Sequence, residues 1–304
     1  MPMATAIPAT TATRLHDILA LLKPRIILLL VITSFCGALV AAKGNAALLT
    51  CPALLCSTLG LILGAGGANM VNMWWDRDID PLMRRTQNRP LPQGRIQPRT
   101  VLIMGITCIK LGTTIALFAN LLTAAMVLAG ALFYIFIYTM LLKRSTVQNI
   151  VIGGAAGAFP PLVGWAAVQN NLTDPLPWLM FAIIFLWTPP HFWALALMAN
   201  ADYTKAGVPM YPVVYGEPAT RLRMFQYFLL LFAITLMGGL LYPLSWPYTI
   251  AAIGLGLWWG HSLWQLLHAP QTTAQNPQPA QTAFTRSLFY LAFLFAAMVL
   301  DSWL

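Results

Sequence analysis

Charge is what this sequence lacks most. Of its 304 residues only 8% are Asp, Glu, Lys or Arg, against 59% hydrophobic. A soluble globular domain carries about 25% charged residues. So little charge cannot cover a water-facing surface, which excludes an ordinary soluble domain and makes lipid the expected solvent. Acidic groups are scarcer still, with eight Asp and Glu against seventeen Lys and Arg and a formal net charge of +9. That balance would suit a nucleic acid. The basic residues, however, sit in short loops between apolar runs, as membrane topology dictates, so no nucleic-acid partner is expected. Cysteine is nearly absent. Cys36, Cys51, Cys56 and Cys108 lie in or beside apolar stretches, without Cys-x-x-Cys spacing or a histidine at ligand distance. They read as small buried apolar residues, not as a metal centre. The first dozen residues lack a basic region followed by an apolar core, which speaks against a cleaved secretory signal.

What is present is a series of apolar runs, each long enough to cross a bilayer, for which about twenty residues are needed. Nine candidate spans fall at roughly 26–42, 50–73, 101–119, 121–142, 149–168, 177–199, 224–243, 247–266 and 286–304. The expected fold class is therefore all-α, a polytopic integral membrane helical bundle. With the N-terminus on one side, the loops after spans two, four, six and eight share that side. It collects Arg14, Lys23, Arg25, Arg77, Arg84, Arg85, Arg89, Arg95, Arg99, Lys143, Arg144, Lys205, Arg221, Arg223 and Arg286, and leaves Lys43 alone opposite. The positive-inside rule makes the basic side cytoplasmic, or the matrix side in a mitochondrion. Lys110 interrupts span three; it either snorkels or faces the bundle interior. The segments Met1–Thr13 and 267–285, rich in Thr, Ala, Pro and Gln, read as flexible loops without chemistry.

The few acids of the basic side are clustered. Span two runs into N-M-V-N-M-W-W-D-R-D-I-D-P, in which Asn72, Asp76 and Asp80 are four residues apart. Four helical residues turn about 400°, so these three groups stack on one face while Asp78 points elsewhere. Two carboxylates and an amide form a hard, oxygen-only set of the kind that suits Mg²⁺ with substrate phosphates as further ligands. Without thiolate or imidazole, the set does not favour zinc or copper. Arg84, Arg85 and Arg89 follow at once, and guanidinium forks beside metal-holding carboxylates point to a diphosphate site.

The loop after span six, A-D-Y-T-K-A-G-V-P-M, echoes the first with an Asp at a helix end, a Lys and a Gly-Pro turn. Asp202 is a candidate to complete the site across the bundle and Lys205 to meet phosphate; a helix end with a turn is the plainer alternative for both. Lys143 and Arg144 between spans four and five are candidates for the phosphate site or topology determinants only. His191 lies within span six, in W-T-P-P-H-F-W. An intramembrane ionisable residue is a functional candidate. It could ligate haem iron or meet a substrate propionate, and the plain alternative is a histidine satisfied by a backbone carbonyl. His261 is a weaker candidate, and His16 and His268 read as interfacial.

These blocks resemble the UbiA-type intramembrane prenyltransferases, whose shared pattern N-x-x-x-D-x-x-x-D then R-T-x-x-R-P-L stands here as Asn72, Asp76, Asp80, Arg85, Thr86, Arg89, Pro90 and Leu91. Within that superfamily the chain is similar to the haem O synthases, on K-P-R at 23–25, D-R-D-I-D at 76–80, Y-T-x-x-L-K-R at 138–144, I-G-G-A-A-G-A-F-P-P-L-V-G-W at 152–165, T-P-P-H-F-W-A-L-A-L at 188–197 and D-Y-x-x-A-G-V-P-M at 202–210. The resemblance covers most of residues 20–215. It implies an N-terminal cytoplasmic segment over 1–22 and a prenyltransferase transmembrane domain over 23–304, arranged around a central intramembrane cavity. It implies transfer of the farnesyl group of farnesyl diphosphate to a vinyl group of haem B to form haem O. The implied roles are Mg²⁺ on Asn72, Asp76 and Asp80, diphosphate on Arg85, Arg89, Lys143, Arg144 and Lys23, and haem on His191. The expected setting is a bacterial inner membrane with the site cytoplasmic, and a downstream haem A synthase or terminal oxidase assembly as the receiving partner. One departure stands out. Quinone-forming members carry a second D-x-x-x-D in the loop after span six, whereas here Asp202 is followed four residues on by Ala206, which speaks against a symmetric two-magnesium site. A quinone-pathway prenyltransferase, a transporter and a structural haem-binding membrane protein are the competing readings.

Overall fold

The computed structural model describes residues 11–50, 52–241 and 244–304. Cys51 and the first ten residues of the expected N-terminal loop lie outside the described residues. The architecture is helical throughout. Twelve α-helices run in order: α1 (Thr11–Leu22), α2 (Pro24–Ala42), α3 (Pro52–Trp75), α4 (Pro98–Leu117), α5 (Leu121–Leu132), α6 (Asn149–Gly153), α7 (Phe159–Gln169), α8 (Pro175–Met198), α9 (Asn200–Lys205), α10 (Tyr211–Leu241), α11 (Trp246–Leu267) and α12 (Gln278–Trp303). Proline at the first helical position opens α2, α3, α4 and α8, where its missing N–H costs nothing and its fixed φ suits the helix. Asn120 and Asp174 cap α5 and α8, accepting from the N–H groups of Thr123 at 2.8 Å and Leu176 at 2.9 Å.

Among the described residues, eight stretches are long and apolar enough to span a membrane: 24–42, 52–75, 98–117, 121–142, 149–169, 175–198, 211–239 and 278–303. The ninth expected span is α11, of equal length, whose tryptophans, His261 and Gln265 dilute its hydropathy. A belt of large apolar side chains faces outward, Leu28, Leu55, Ile103, Leu121 and Leu257 among them. That belt has no place in water and is the surface lipid covers. The chain is an integral membrane protein. Lys110 is exposed on α4, about 10 Å from the end of the helix at Leu117, so it points out of the bundle and the interior alternative falls.

The helices form two groups. In one, α3 packs against α4 and α5, and α2 against α7; in the other, α8, α10, α11 and α12 surround a core built on Trp193, Phe228, Tyr248, Trp259 and Tyr290. Contacts of α2 with α12 and of α7 with α8 join them. Close approach in the first group rests on glycine. A Cβ on Gly164 would lie 1.8 Å from the Ser34 carbonyl oxygen of α2, and one on Gly67 would lie 2.5 Å from that of Gly105 on α4. Small residues at such crossings let backbones touch.

Three expectations need correction. The segment from Thr11 is a helix, not a loop, and the buried carboxylate of Asp17 on it accepts from Arg95 Nε at 3.0 Å. Span seven begins at Tyr211, not 224, with a break at Gly216 (φ 77°). Its early turns look too charged for a span. They carry Glu217 and Arg221, which hold the following loop: Arg221 donates to the carbonyls of Ala269 and Gln271 at 2.7 Å, and Glu217 accepts from Thr273 N–H at 2.8 Å. That loop is therefore pinned, and the chain is helical again from Gln278.

Candidate active site

The Asn72, Asp76 and Asp80 stack survives the end of its helix. Although α3 stops at Trp75, the Asp76 N–H bonds the Asn72 carbonyl and the Asp80 N–H bonds the Asp76 carbonyl, each at 2.9 Å. The helical register thus carries all three side chains onto one face. All are buried, at 3%, 0% and 1% exposure. Burial of two carboxylates demands cations, and Lys143, Arg144 and Arg89 supply them. Lys143 bonds Asp76, whose other oxygen meets Arg144 Nη2 at 3.3 Å. Arg89 Nη1 meets Asp80 at 2.7 Å. Lys23 Nζ donates to Asn72 Oδ1 at 3.2 Å, and Asn72 Nδ2 donates to Asp76 at 2.8 Å.

Lys23 itself is held in the left-handed region (φ 57°) just before Pro24. The geometry is costly for a side-chain-bearing residue, by about 1–3 kcal/mol, and it places the ammonium group over Asn72. Burial pushes the Lys23 pKa well below the ordinary lysine value, and the nearby positive charges of Arg89, Lys143 and Arg85 push the same way, against Asp80. Asp78 turns away, as its register requires, and takes a two-pronged bond from Arg144 at 2.7 Å to each oxygen. That hydrogen bonding holds its carboxyl below the ordinary range. Arg144 is thus committed to Asp78, Asp76 and the Trp75 carbonyl, unlike Arg85, which is exposed.

Among the buried polar atoms without a partner are Arg144 Nε, Tyr203 Oη and one carboxylate oxygen. Asp80 Oδ1 is buried and accepts nothing. Among the described residues no three His, Cys, Asp or Glu side chains gather into a ready-made metal site, so a cation here needs ligands from elsewhere as well.

The second loop reaches the first. Asp202 Oδ2 accepts the Arg84 backbone N–H at 3.1 Å, and Ile79 and Met83 pack with Ile150, Tyr203, Val208 and Met210 in one apolar joint. Asp202 therefore braces the first loop. Lys205 is exposed and makes no ion pair among the described residues. Sequence reasoning did not single out Thr139 or Tyr203. Beyond α5 the chain winds as a π-helix, Phe133–Leu142. There Thr139 Oγ1 accepts from Asn72 Nδ2 at 3.1 Å and donates to the Tyr134 carbonyl at 2.8 Å, one π-turn back. Such bulges recur at functional sites, and only the Y-T-x-x-L-K-R block hinted at this one. Tyr203 is buried beside Arg85; burial raises its phenol pKa, and the Arg85 charge opposes this.

His191 sits apart, on α8 about 10 Å before its end at Met198. Its ring lies between Trp187 and Phe284, at centroid distances of 4.1 and 4.7 Å, and Nδ1 meets Ser287 Oγ of α12 at 2.7 Å. A side chain, not a backbone carbonyl, satisfies it. His261, His16 and His268 are exposed.

Residues 30–285 match the UbiA prenyltransferase family. The chain belongs to that family. Among curated UbiA relatives, the protoheme IX farnesyltransferase of Acidiphilium cryptum is 47% identical over 98% of this chain and 96% of its own length. That of Gloeobacter violaceus is 48% identical over 98% and 95%. Among solved structures, a digeranylgeranylglyceryl phosphate synthase superposes with a TM-score of 0.77 at 18% identity, covering 95% of this chain and 98% of that one. A UbiA homolog from Archaeoglobus fulgidus, bound to GPP and Mg²⁺, gives 0.66 at 16% over 93% and 99%. The chain is a UbiA-type intramembrane prenyltransferase, and the transporter and structural readings fall with that membership.

Proposed function

We propose that this enzyme transfers the farnesyl group of farnesyl diphosphate to a vinyl group of haem B, forming haem O and releasing diphosphate. Near-full-length identity of 47% and 48% to relatives named for that reaction carries the choice of substrates. The quinone alternative loses further ground because the second loop lacks its carboxylate pair and Asp202 is already occupied with Arg84.

The site fits the chemistry. Diphosphate is a poor leaving group until its charge is neutralised. Asn72, Asp76 and Asp80 are the groups to hold Mg²⁺, as hard oxygen donors, and the unpartnered Asp80 Oδ1 is a place where a cation satisfies a buried acceptor. Bound there, the metal would offset charge on the departing diphosphate. Arg85, Arg89, Lys143 and Lys23 converge beside these carboxylates as phosphate donors, and positive charge fixed in advance favours the state in which negative charge collects on diphosphate. Arg144, tied to Asp78, orients Asp76. Asp202 and Lys205 serve the loops. As the farnesyl C–O bond breaks, its electron pair leaves with diphosphate. The vinyl π electrons of haem form the new C–C bond, and water captures the resulting cation with loss of a proton. No protein nucleophile is needed. His191 is the proposed haem contact. We place the protein in a bacterial inner membrane with this face cytoplasmic, upstream of haem A synthase or a terminal oxidase. Incubating the purified protein with haem B, farnesyl diphosphate and Mg²⁺ should yield haem with the mass of an added farnesyl group and an added hydroxyl; haem recovered unmodified would overturn the reading.

A further inference from the structure

Ser287 on α12 lies outside every motif above, yet it decides what His191 can do. Its hydroxyl carries one proton and two lone pairs. Ser287 Oγ stands 2.5 Å from the Phe284 carbonyl oxygen, which can only accept. The single proton must therefore lie between those two oxygens, since otherwise two sets of lone pairs would face each other at that distance. Ser287 Oγ then has only lone pairs to offer His191 Nδ1 at 2.7 Å, so Nδ1 is the nitrogen that carries hydrogen. In the neutral imidazole that leaves the lone pair on Nε2.

The surroundings fix the ring as well as the proton. Trp187 stacks on it at an interplanar angle of 18° and Phe284 at 24°. Trp187 is itself anchored by its Nε1–H to the Ser287 carbonyl at 2.8 Å. Nε2 has no partner among the described residues, and it is not one of the buried unpartnered atoms. It is therefore open to a ligand. Metal-ligating histidines commonly donate their second ring N–H to a fixed acceptor, which sets tautomer and orientation.

We infer that Ser287 is a positioning residue that locks His191 in the Nδ1–H tautomer, with Nε2 presented as an axial ligand to the iron of the haem substrate. The inference rests on the reading of His191 as the haem contact. It goes further in naming the ligating atom, the bond type and the residue that sets it.

The purified enzyme loaded with haem B in lipid nanodiscs tests it. The ferrous haem should show a resonance Raman iron–histidine stretch. His191→Ala should abolish that band. Ser287→Ala and Ser287→Cys, which remove or weaken the acceptor, should shift it and weaken haem affinity on the order of 10-fold. They should raise the KM for haem while the KM for farnesyl diphosphate stays at the wild-type value, and this unchanged value also certifies that the variants are folded. Ser287→Thr should restore both band and affinity. A band that persists in His191→Ala would overturn the haem-contact reading itself. A band lost in His191→Ala but unmoved in both Ser287 variants, with wild-type haem affinity, would overturn the role of Ser287 alone.

Discussion

Replacing Arg89 by alanine removes two things at once, and the geometry separates them. The first is a counter-ion. Asp80 is 1% exposed, and Arg89 is its sole ion-pair partner among the described residues, through one nitrogen at 2.7 Å. Stripping one member from a buried pair costs about 3–5 kcal/mol, because a carboxylate is left uncompensated. The second is a phosphate donor. A guanidinium has five N–H donors, and the Asp80 contact engages one nitrogen, leaving the rest of the fork for diphosphate. A charged hydrogen bond is worth about 1.5–3 kcal/mol, so the KM for farnesyl diphosphate should rise roughly 10- to 150-fold at about 1.4 kcal/mol per decade. The double variant Arg89→Ala/Asp80→Asn distinguishes the effects. It removes the orphaned charge, so its thermal midpoint in detergent should recover well above that of Arg89→Ala, while turnover stays lost. Arg89→Lys should keep the protein stable but restore the KM only in part, because a lysine lacks the planar fork. Midpoints measured by intrinsic fluorescence and steady-state kinetics across the set suffice. Wild-type KM and kcat in Arg89→Ala would remove this residue from the phosphate site. Failure of Asp80→Asn to recover stability would refute the counter-ion argument.

Four further outcomes are expected. Asp76→Ala and Asp80→Ala should each abolish transfer while the protein still inserts and elutes as a folded species; wild-type turnover in both would sink the metal assignment. Because burial lowers the Lys23 pKa and an anionic headgroup raises it again, diphosphate binding should take up protons in the pH range between the free and the bound pKa. Calorimetry in buffers of different ionisation enthalpy should register this uptake, and it should be missing in Lys23→Met. Gly164→Ala forces a methyl onto the Ser34 carbonyl; overpacking of that kind costs about 1–3 kcal/mol or more, read as a lower thermal midpoint. Arg221→Met should free the 268–277 loop, so limited proteolysis should cut there in the variant and not in the wild type.

Most of this was written in the sequence because the relevant physics is local. Apolar length marks the spans, and the four-residue spacing put Asn72, Asp76 and Asp80 on one face even though the regular helix ends at Trp75. Basic residues in alternate loops placed those loops on one side, and there Arg144 meets Asp78 and Asp202 meets Arg84. What escaped depends on distant partners. Glu217 and Arg221 look like an unfavourable start to a span until the loop they hold, some fifty residues on, is in place. Thr139 enters the site through a π-helix that no periodicity announces. Ser287 is one serine in an apolar run, informative only once α12 lies against α8.

The bond from Arg84 to Asp202 ties together residues 118 positions apart. At synthesis rates of about 5–20 residues per second, the acidic motif at 72–80 waits on the order of ten seconds before the strut that braces its loop leaves the ribosome. Four more spans must insert in that time. A chain cut short before residue 202 keeps every proposed phosphate-binding residue but lacks the Asp202 strut on their loop. The first loop should therefore reach its final, braced form only when both halves of the bundle have met.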